Sequence, residues 1–418
     1  MDSPNGAGGA FRPAALPADV PLMASIRRSS ARPNVRGKLA LAWAVGFAMW
    51  GLLLAVNALL PTIQAELGLS YTVRSLVLAL PFLSMAASAI PGGYLADRLG
   101  IHGTVSLGGA VACFGAGLRA VPGPPALLLV AASIFGAGLG IVIPNLPKLV
   151  GMQYGKNRGL ATGVYSTGLI SGSVTGVYAT GPIASVIGGW RAALLAWAFL
   201  GIVVVAAWGL LLRREPVPAQ GPQLGYGPLL RRRELWILAF LFASGNASYF
   251  FLVGAYPQIL TVRGLPPDAS TAQLALLIAV GVPAIFLAPI LSDRARVRRP
   301  FVWGPHALIA ALLLLLPTVP LAAIPLVSVG LGFSEMAIFA LALLLPVDVF
   351  PPEDVGRAGG VVVSIAYVGA LLGPLGSGLA VDLLGTLDAA VIAFASLSLV
   401  TTLVVFLLPE TGRRERRA

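Results

Sequence analysis

The stretch Gly93-Tyr94-Leu95-Ala96-Asp97-Arg98-Leu99-Gly100 lies between two apolar runs and contains an acid next to a base. A second copy, Leu291-Ser292-Asp293-Arg294-Ala295-Arg296, lies between two later apolar runs, with its Asp-Arg pair 196 residues further on. Such an ordered repeat indicates a duplication, so the chain is predicted to consist of two related halves. Further matching pairs at offsets of 196 or 199 are Pro61 and Pro257, Gly68 and Gly264, Pro147 and Pro346, and Arg158 and Arg357.

Apolar runs recur along the whole chain, which is 57% hydrophobic and only 11% charged. Soluble proteins carry about a quarter charged residues, so this chain has too little polar surface for water. The runs are about 20 residues long, the length that spans a bilayer as a helix. The twelve predicted segments are 39–60, 75–95, 103–118, 126–147, 160–187, 192–212, 235–260, 271–291, 301–319, 321–345, 358–384 and 387–408.

The repeat divides these segments into six and six, which predicts an all-α membrane protein of two six-helix bundles. We expect the N-terminal bundle at 39–212 and the C-terminal bundle at 235–408, joined by a polar cytoplasmic linker at 213–234. Residues 1–38 and 409–418 are predicted to be cytoplasmic tails. Residues 1–38 lack the apolar core and small-residue cleavage site of a secretory signal.

Basic residues are distributed unevenly between the two sides of the predicted segments. The side of the tails and the linker holds 24 of the 28 Lys and Arg residues. Cytoplasmic loops carry such an excess, so we expect both termini in the cytoplasm and the protein in the plasma (inner) membrane. The net charge of +12 therefore reflects topology, and no nucleic-acid partner is expected. No Lys or Arg is predicted near the bilayer midplane, since the other four are assigned to outer loops: Arg74, Arg119, Arg191 and Arg263.

The stretch at 93–100 resembles the motif G-x-L-A-D-R-x-G-R-[RK] of the major facilitator superfamily. Ile101 and His102 replace its closing basic pair, and the second copy lacks the glycine. The resemblance implies the superfamily fold, alternating access, and a cytoplasmic latch in which an acid meets a helix N-terminus of the other bundle. The alternative is a surface ion pair that only sets orientation. The implied latch residues are Gly93, Asp97, Arg98, Asp293, Arg294 and Arg357.

Small residues at every fourth position of the fifth segment predict close helix packing, at Gly168, Gly172 and Gly176. The following Gly181-Pro182 is similar to the superfamily's antiporter motif, but the next glycine pair lies farther along, so packing is the favoured interpretation. The stretches 144–148 and 159–165 are most similar to the cyanate and nitroimidazole permease branch. The superfamily's common fourth-helix arginine is absent, because Ala132 and Ile134 occupy its candidate positions.

Glu335 is the acid predicted to lie near the middle of a hydrophobic segment. A carboxylate at that depth costs about 3 kcal/mol and usually faces a cavity or a functional partner. Three interpretations are open: Glu335 carries a proton through the transport cycle, contacts a cationic or hydrogen-bonding substrate, or is protonated and only structural. Without a base at the midplane, a small inorganic or dicarboxylate anion is disfavoured as cargo.

Polar residues on the midplane turns of the segments that line the superfamily's cavity are candidates for substrate contacts. Aromatic rings, hydroxyls and amides suit a small organic solute bound by stacking and hydrogen bonds. For each residue alone, interhelical packing is the alternative. The candidates are Trp50, Asn57, Tyr165, Ser171, Asn246, Tyr249, Tyr256, Ser364 and Tyr367.

The sequence therefore predicts a secondary active transporter, a symporter or antiporter, that moves a small organic solute and is coupled to protons. The alternatives are a facilitator or porter for a small anion (cyanate-, nitrate- or monocarboxylate-like) and a non-transporting receptor or scaffold of the same fold. No enzyme is expected, because no nucleophile–base constellation appears. With the single Cys113 and two separate histidines, His102 and His306, no metal or cofactor is expected. The expected partners are the solute, protons and lipid, with the protein as a monomer.

Overall fold

The computed structural model describes residues 35–147, 149, 158–212 and 226–411. Within these ranges the regular structure is helical and no strand occurs. In a helix the backbone N–H and C=O groups bond to one another, so the chain needs no hydrogen-bond partners from the lipid, which has none to offer. They are α1 Val35–Leu67, α2 Tyr71–Leu118, α3 Pro125–Val142, α4 Arg158–Ile187, α5 Trp190–Leu211, α6 Gly227–Leu230, α7 Arg233–Val262, α8 Pro267–Ala279, α9 Gly281–Ala295, α10 Arg299–Leu315, α11 Ile324–Val349, α12 Pro352–Leu384 and α13 Asp388–Val404, with 3₁₀ turns at Leu321–Ala323 and Val405–Leu407.

Eleven helical stretches in the described ranges are long and apolar enough to cross a membrane, and α10 is a shorter apolar helix. Two of the eleven lie within α2, at Tyr71–Ala89 and Arg98–Leu118, whereas α8 and α9 together form one, at Pro267–Ala295. These eleven stretches and α10 correspond to the twelve predicted segments. Helix bounds differ from the prediction by a few residues; α1, for example, begins at Val35, inside the predicted tail.

The motif stretch at 93–100 is helical rather than a loop. The α2 helix continues through it and is interrupted at Gly100, where φ is 71° and ψ is 165°. Glycine adopts a positive φ without steric cost, so a single residue redirects the helix. The acid and base of the motif therefore lie in the last turn before this break.

Glycines form the packing seam in each half. A Cβ at Gly168, Gly172 or Gly176 of α4 would overlap the backbone of α1, at the carbonyls of Trp43, Phe47 and Gly51 respectively. This confirms the close packing predicted from the four-residue spacing. The C-terminal half repeats the arrangement: a Cβ at Gly369 or Gly373 of α12 would overlap the α7 carbonyls of Ala243 and Ala247. The duplication is thus visible in the packing as well as in the sequence.

Because successive crossings alternate in direction, the connections lie at two ends of the helices. The end that carries Arg98, Arg298 and Arg357 is named the basic end. The connections at the other end, named the opposite end, are short and contain glycines with positive φ: Gly68, Gly188, Gly189, Gly264 and Gly385.

Candidate transport site

Glu335 lies near the middle of α11 and is only 2% exposed. Its carboxyl group lies near the Ser248 hydroxyl of α7, which forms no hydrogen bond with a described residue, and the Tyr249 phenol is close enough to interact electrostatically with it. Among the described residues, no cation pairs with Glu335, and its Oε1 atom has no hydrogen-bond partner. The predicted intramembrane acid is therefore buried and uncompensated.

The residues around Tyr249 connect the two halves near the middle of the helices. The rings of Tyr249 and Phe250 meet edge to face with centroids 4.9 Å apart. Phe250 in turn packs on Phe82 of α2, with 4.1 Å between centroids. Tyr165 of α4 and Tyr367 of α12 also lie close enough to interact electrostatically across the halves. Aromatic rings from both halves thus approach one another at the level where a substrate site was predicted.

Two of the predicted cavity residues are buried in contacts between helices. The Asn57 amide of α1 donates to the Val253 carbonyl of α7, which is the residue aligned with Asn57 by the repeat offset of 196. The Tyr256 hydroxyl is 2.9 Å from the Ser328 hydroxyl of α11, which also bonds to Gln273 at 3.0 Å. These contacts favour the packing alternative for Asn57 and Tyr256.

The other candidates divide into residues bonded within their own helix and aromatic residues, of which Tyr165 is buried. Ser171, Asn246 and Ser364 each donate to a backbone carbonyl one turn earlier, at 2.6, 3.0 and 2.9 Å. Trp50, Tyr249 and Tyr367 are partly buried. The structure brings Glu335 together with Tyr249, and Tyr165 together with Tyr367; it does not join all nine candidates into one cluster.

Arg119 lies in the connection after α2, as predicted, but its side chain corrects the prediction that no base lies near the midplane. It follows the last residue of α2 but is only 2% exposed, because its side chain folds back into the N-terminal half. Its guanidinium carbon is 4.0 Å from the Phe135 ring centre, and Nη1 is 3.4 Å from the Leu52 carbonyl. Nε and Nη2 have no partner among the described residues. The length of the arginine side chain, which residue counting ignores, explains the error.

The opposite end contains polar contacts that the sequence did not predict. The Asp382 carboxylate at the end of α12 accepts hydrogen bonds from the backbone amides of Tyr71 and Thr72, at 3.0 and 2.7 Å. These amides open α2 in the other half, where a helix N-terminus favours negative charge. The Arg74 guanidinium also crosses the halves, donating to Gln258 of α7 at 3.3 Å. An acid at the end of an apolar segment was the available signal, but its partner lies 311 residues away.

At the basic end, the latch residues contact neighbours in their own half. Asp293 pairs with Arg298 at 2.6 Å, and Arg298 pairs with Asp348 at 2.9 Å. Arg298 is partly buried, which lowers the pKa of its guanidinium, but the Asp348 and Asp293 carboxylates outweigh this and hold that pKa above its usual value. Arg357 pairs with Asp354.

The first copy of the motif is described in part. The Arg98 guanidinium lies 4.5 Å from the Tyr94 ring centre. Gly93 faces open space, and Arg294 is exposed. The Asp97 side chain lies outside the described part of the structure. The latch therefore stays a prediction.

Residues 39–345 match the profile of the family described as Major Facilitator Superfamily. The chain belongs to the Major Facilitator Superfamily. This membership agrees with the helical fold, the internal repeat and the motif at 93–100. It makes the protein a member of a membrane transporter family.

Similar superfamily proteins include transporters from bacteria. An uncharacterized transporter of Bacillus subtilis, YycB, is 24% identical over 77% of this chain and 80% of its own length. The cyanate transport protein CynX of Escherichia coli is 26% identical over 59% of this chain and 65% of its own length. The fosmidomycin resistance protein of Escherichia coli is 23% identical over 78% of this chain and 80% of its own length. The similarity to CynX agrees with the branch resemblance of the sequence.

Solved superfamily structures share the fold. A bacterial homologue of the human lysosomal transporter Spinster, in an inward-facing and unoccupied conformation, superposes with a TM-score of 0.74. The superposition covers 93% of this chain and 100% of that protein at 18% identity. At this identity the likeness shows the fold alone. In the described ranges of this chain, no three His, Cys, Asp or Glu side chains group as metal ligands would.

Proposed function

We propose that this superfamily member is a secondary active transporter that moves a small organic solute by alternating access, and that Glu335 binds the coupling proton. The observation that carries the proposal is the burial of Glu335 in the middle of α11 without a cationic partner among the described residues. Desolvation disfavours a charged carboxylate, so the group is suited to gain and lose a proton as its surroundings change. The basic end is proposed to face the cytoplasm, with both termini there.

The solute is proposed to bind beside Glu335, between the halves. Tyr249 interacts with Glu335, and Trp50 and Tyr367 add partly buried aromatic rings with polar tips. Such rings bind organic solutes by stacking, while the hydroxyl and indole N–H groups fix orientation. Movement of one half against the other would expose this site to each side of the membrane in turn.

The experiment is thermal stabilisation of the purified protein by a panel of small organic solutes at several pH values. Wild type is compared with Glu335→Gln and with Ser334→Ala, a neighbouring buried position on α11 that controls for disturbance of the helix. We expect some solutes to stabilise wild type and Ser334→Ala with a pH dependence that Glu335→Gln lacks. Identical ligand and pH responses in all three proteins would contradict the role of Glu335. Solute flux in liposomes then separates a transporter from a receptor or scaffold of the same fold.

A second candidate function, a porter for a small anion, is favoured by Arg119. Its buried guanidinium has two nitrogen atoms without partners among the described residues, so a small anion would find an uncompensated positive charge there. The cyanate transport of a similar protein is of this class. Stabilisation by cyanate or nitrate in wild type and Arg119→Lys, but not in Arg119→Gln, would support the anion porter. The absence of any anion effect in wild type would remove this candidate.

A further inference from the structure

His306 is a buried titratable group that the proposed function does not yet use. It lies on α10, is fully buried, and neither ring nitrogen has a partner among the described residues. The other histidine of the chain, His102, differs because its Nε2 atom lies 3.2 Å from the Trp208 carbonyl. A buried imidazole without partners loses its hydrogen bonds to water without replacement, so its retention calls for an explanation.

Gly245 of α7 marks the place where His306 approaches α11. A Cβ at Gly245 would lie 3.8 Å from the His306 Cε1 atom and 2.9 Å from the Ile338 Cγ2 atom. The missing side chain at Gly245 therefore gives room to Ile338, and the imidazole lies in van der Waals reach of the same position, between α7, α10 and α11. His306 and Ile338 face the same turn of α7.

Helix periodicity places Glu335 next to this turn. Glu335 and Ile338 are three residues apart on one face of α11, as Gly245 and Ser248 are on α7. Ile338 faces Gly245 and Glu335 faces Ser248, so the carboxyl group lies about one helical turn from the level of the imidazole. A water molecule held between the two groups would bridge them at such a separation.

The Arg298–Asp348 ion pair fixes the level of the basic end for both groups. His306 lies eight residues along α10 from Arg298, which is about 12 Å of helix, whereas Glu335 lies 13 residues along α11 from Asp348, which is about 20 Å. The imidazole is thus between the carboxyl group and the basic end.

We propose that Glu335 and His306 form one proton-binding pair, in which His306 relays the proton between Glu335 and the basic end. This inference rests on the proposed function and assigns it a second residue. The Glu335 O–H bond breaks and its proton passes to a bridging water, which gives one of its own protons to the neutral imidazole. The imidazolium then releases the proton on its other nitrogen to water at the basic end. Glu335 is left as a carboxylate, the bridging water is restored, and the imidazole is again neutral but in the opposite tautomer.

Other titratable groups around the pair are few. Tyr249 of α7 interacts with Glu335, and Tyr367 lies on α12. Tyr256 of α7 is also buried, and its hydroxyl is 2.9 Å from the Ser328 hydroxyl of α11. The remaining acidic and basic groups of the surrounding helices lie near helix ends: Arg233 and Glu234 on α7, Asp268 on α8, Asp293 and Arg294 on α9, Arg299 on α10, Asp348 on α11, Asp354, Arg357 and Asp382 on α12, and Asp388 on α13. The two groups most able to exchange a proton inside this half are therefore Glu335 and His306.

The first test is an infrared pH titration of the purified full chain, which follows the carbonyl band of protonated carboxylic acids. The difference between wild type and Glu335→Gln isolates the Glu335 band. We expect His306→Gln to move the midpoint of this band by about one pH unit, because coupled groups titrate as a pair, and His102→Gln to leave it unchanged. An unchanged midpoint in His306→Gln overturns the relay but keeps the proposed function. If the Glu335→Gln protein keeps every carbonyl band of wild type, the proposed function itself is overturned.

A second test needs no change at His306, in case its substitution prevents folding. With only two histidines in the chain, nitrogen-15 histidine labelling of the His102→Gln protein leaves the His306 resonances alone. We expect these resonances to titrate over the pH range of the Glu335 band, and Glu335→Gln to shift that titration. Resonances that stay constant across the range, or that ignore Glu335→Gln, overturn the pair.

Discussion

The two ends of the protein use charged groups differently. At the opposite end, Asp382 and Arg74 form hydrogen bonds that cross from one half to the other. At the basic end, Arg298 joins Asp293 and Asp348 inside the C-terminal half. If the halves move as proposed, a contact within one half stays intact, whereas a contact between the halves breaks. We then expect the first kind to set the stability of a half, and the second to set the populations of different arrangements of the halves.

The largest expected effect is a loss of stability at the glycine seam where α4 packs against α1. Gly172→Ala places a Cβ against the Phe47 carbonyl, which is backbone and cannot move aside. Overpacking of this kind costs about 1–3 kcal/mol, so we expect a clear fall in the Tm of the purified protein. Gly181→Ala on the same helix is the control, because its Cβ would meet no atom within 4 Å. Equal Tm values for the two variants would show that the α1–α4 seam is not rigid.

The next prediction tests stability at the basic end. Arg298→Gln removes the partner of two carboxylates, and for a partly exposed pair we expect a loss of about 1.5 kcal/mol, seen as a lower Tm. The relative positions of the halves at the opposite end should not change. Spin labels at Val186→Cys and Val262→Cys report those positions, since both residues are more than 80% exposed, lie in different halves, and the native Cys113 is buried. A changed label distance in Arg298→Gln would contradict the distinction between the two ends.

The sequence predicted the features that depend on local pattern. The lengths of the apolar runs predicted the membrane-spanning segments. The four-residue spacing of Gly168, Gly172 and Gly176 predicted the close packing at what is the α1–α4 seam, because both features follow from helix geometry. The intramembrane position of Glu335 was predictable for the same reason. The Asp382 contact was not, since it joins residues 311 positions apart and depends on how the halves meet.

The directions of long or buried side chains could not be predicted from the sequence either. Arg119 was assigned to a loop by its place at a segment end, but the direction of its side chain depends on the packing of Phe135 and Leu52. His306 was considered only as a metal ligand, because its approach to Gly245 and Glu335 is a property of three packed helices. Residue spacing within one segment carries no such information.

Asp382→Asn tests the contact between the halves directly. The amide oxygen can still accept one hydrogen bond, but the charge that favours the α2 N-terminus is lost. Asp382 is exposed, so we expect its charge to contribute only about 1 kcal/mol. The population of the arrangement in which α12 contacts the α2 N-terminus should therefore fall about fivefold. The Val186–Val262 label pair should show a longer, broader distance distribution, with little change in Tm. Asp268→Asn is the matched control, because Asp268 lies in the first turn of α8 in its own half; an equal response there would assign the effect to general loss of charge.

The smallest expected effect is that of replacing Gln258, one of two glutamines that accept hydrogen bonds from Arg74. Arg74 donates to Gln258 in the other half at 3.3 Å and to Gln64 in its own half at 3.0 Å. Gln258→Leu should lower the population of the arrangement in which the halves are in contact at the opposite end, as Asp382→Asn does. The expected change is about twofold, or about 0.5 kcal/mol. Gln64→Leu should leave the label distance unchanged, because the bond it removes does not cross the halves. If Gln64→Leu has the larger effect, the role of Arg74 is to hold the start of α2 within its own half, and Asp382 alone joins the halves by charge at this end.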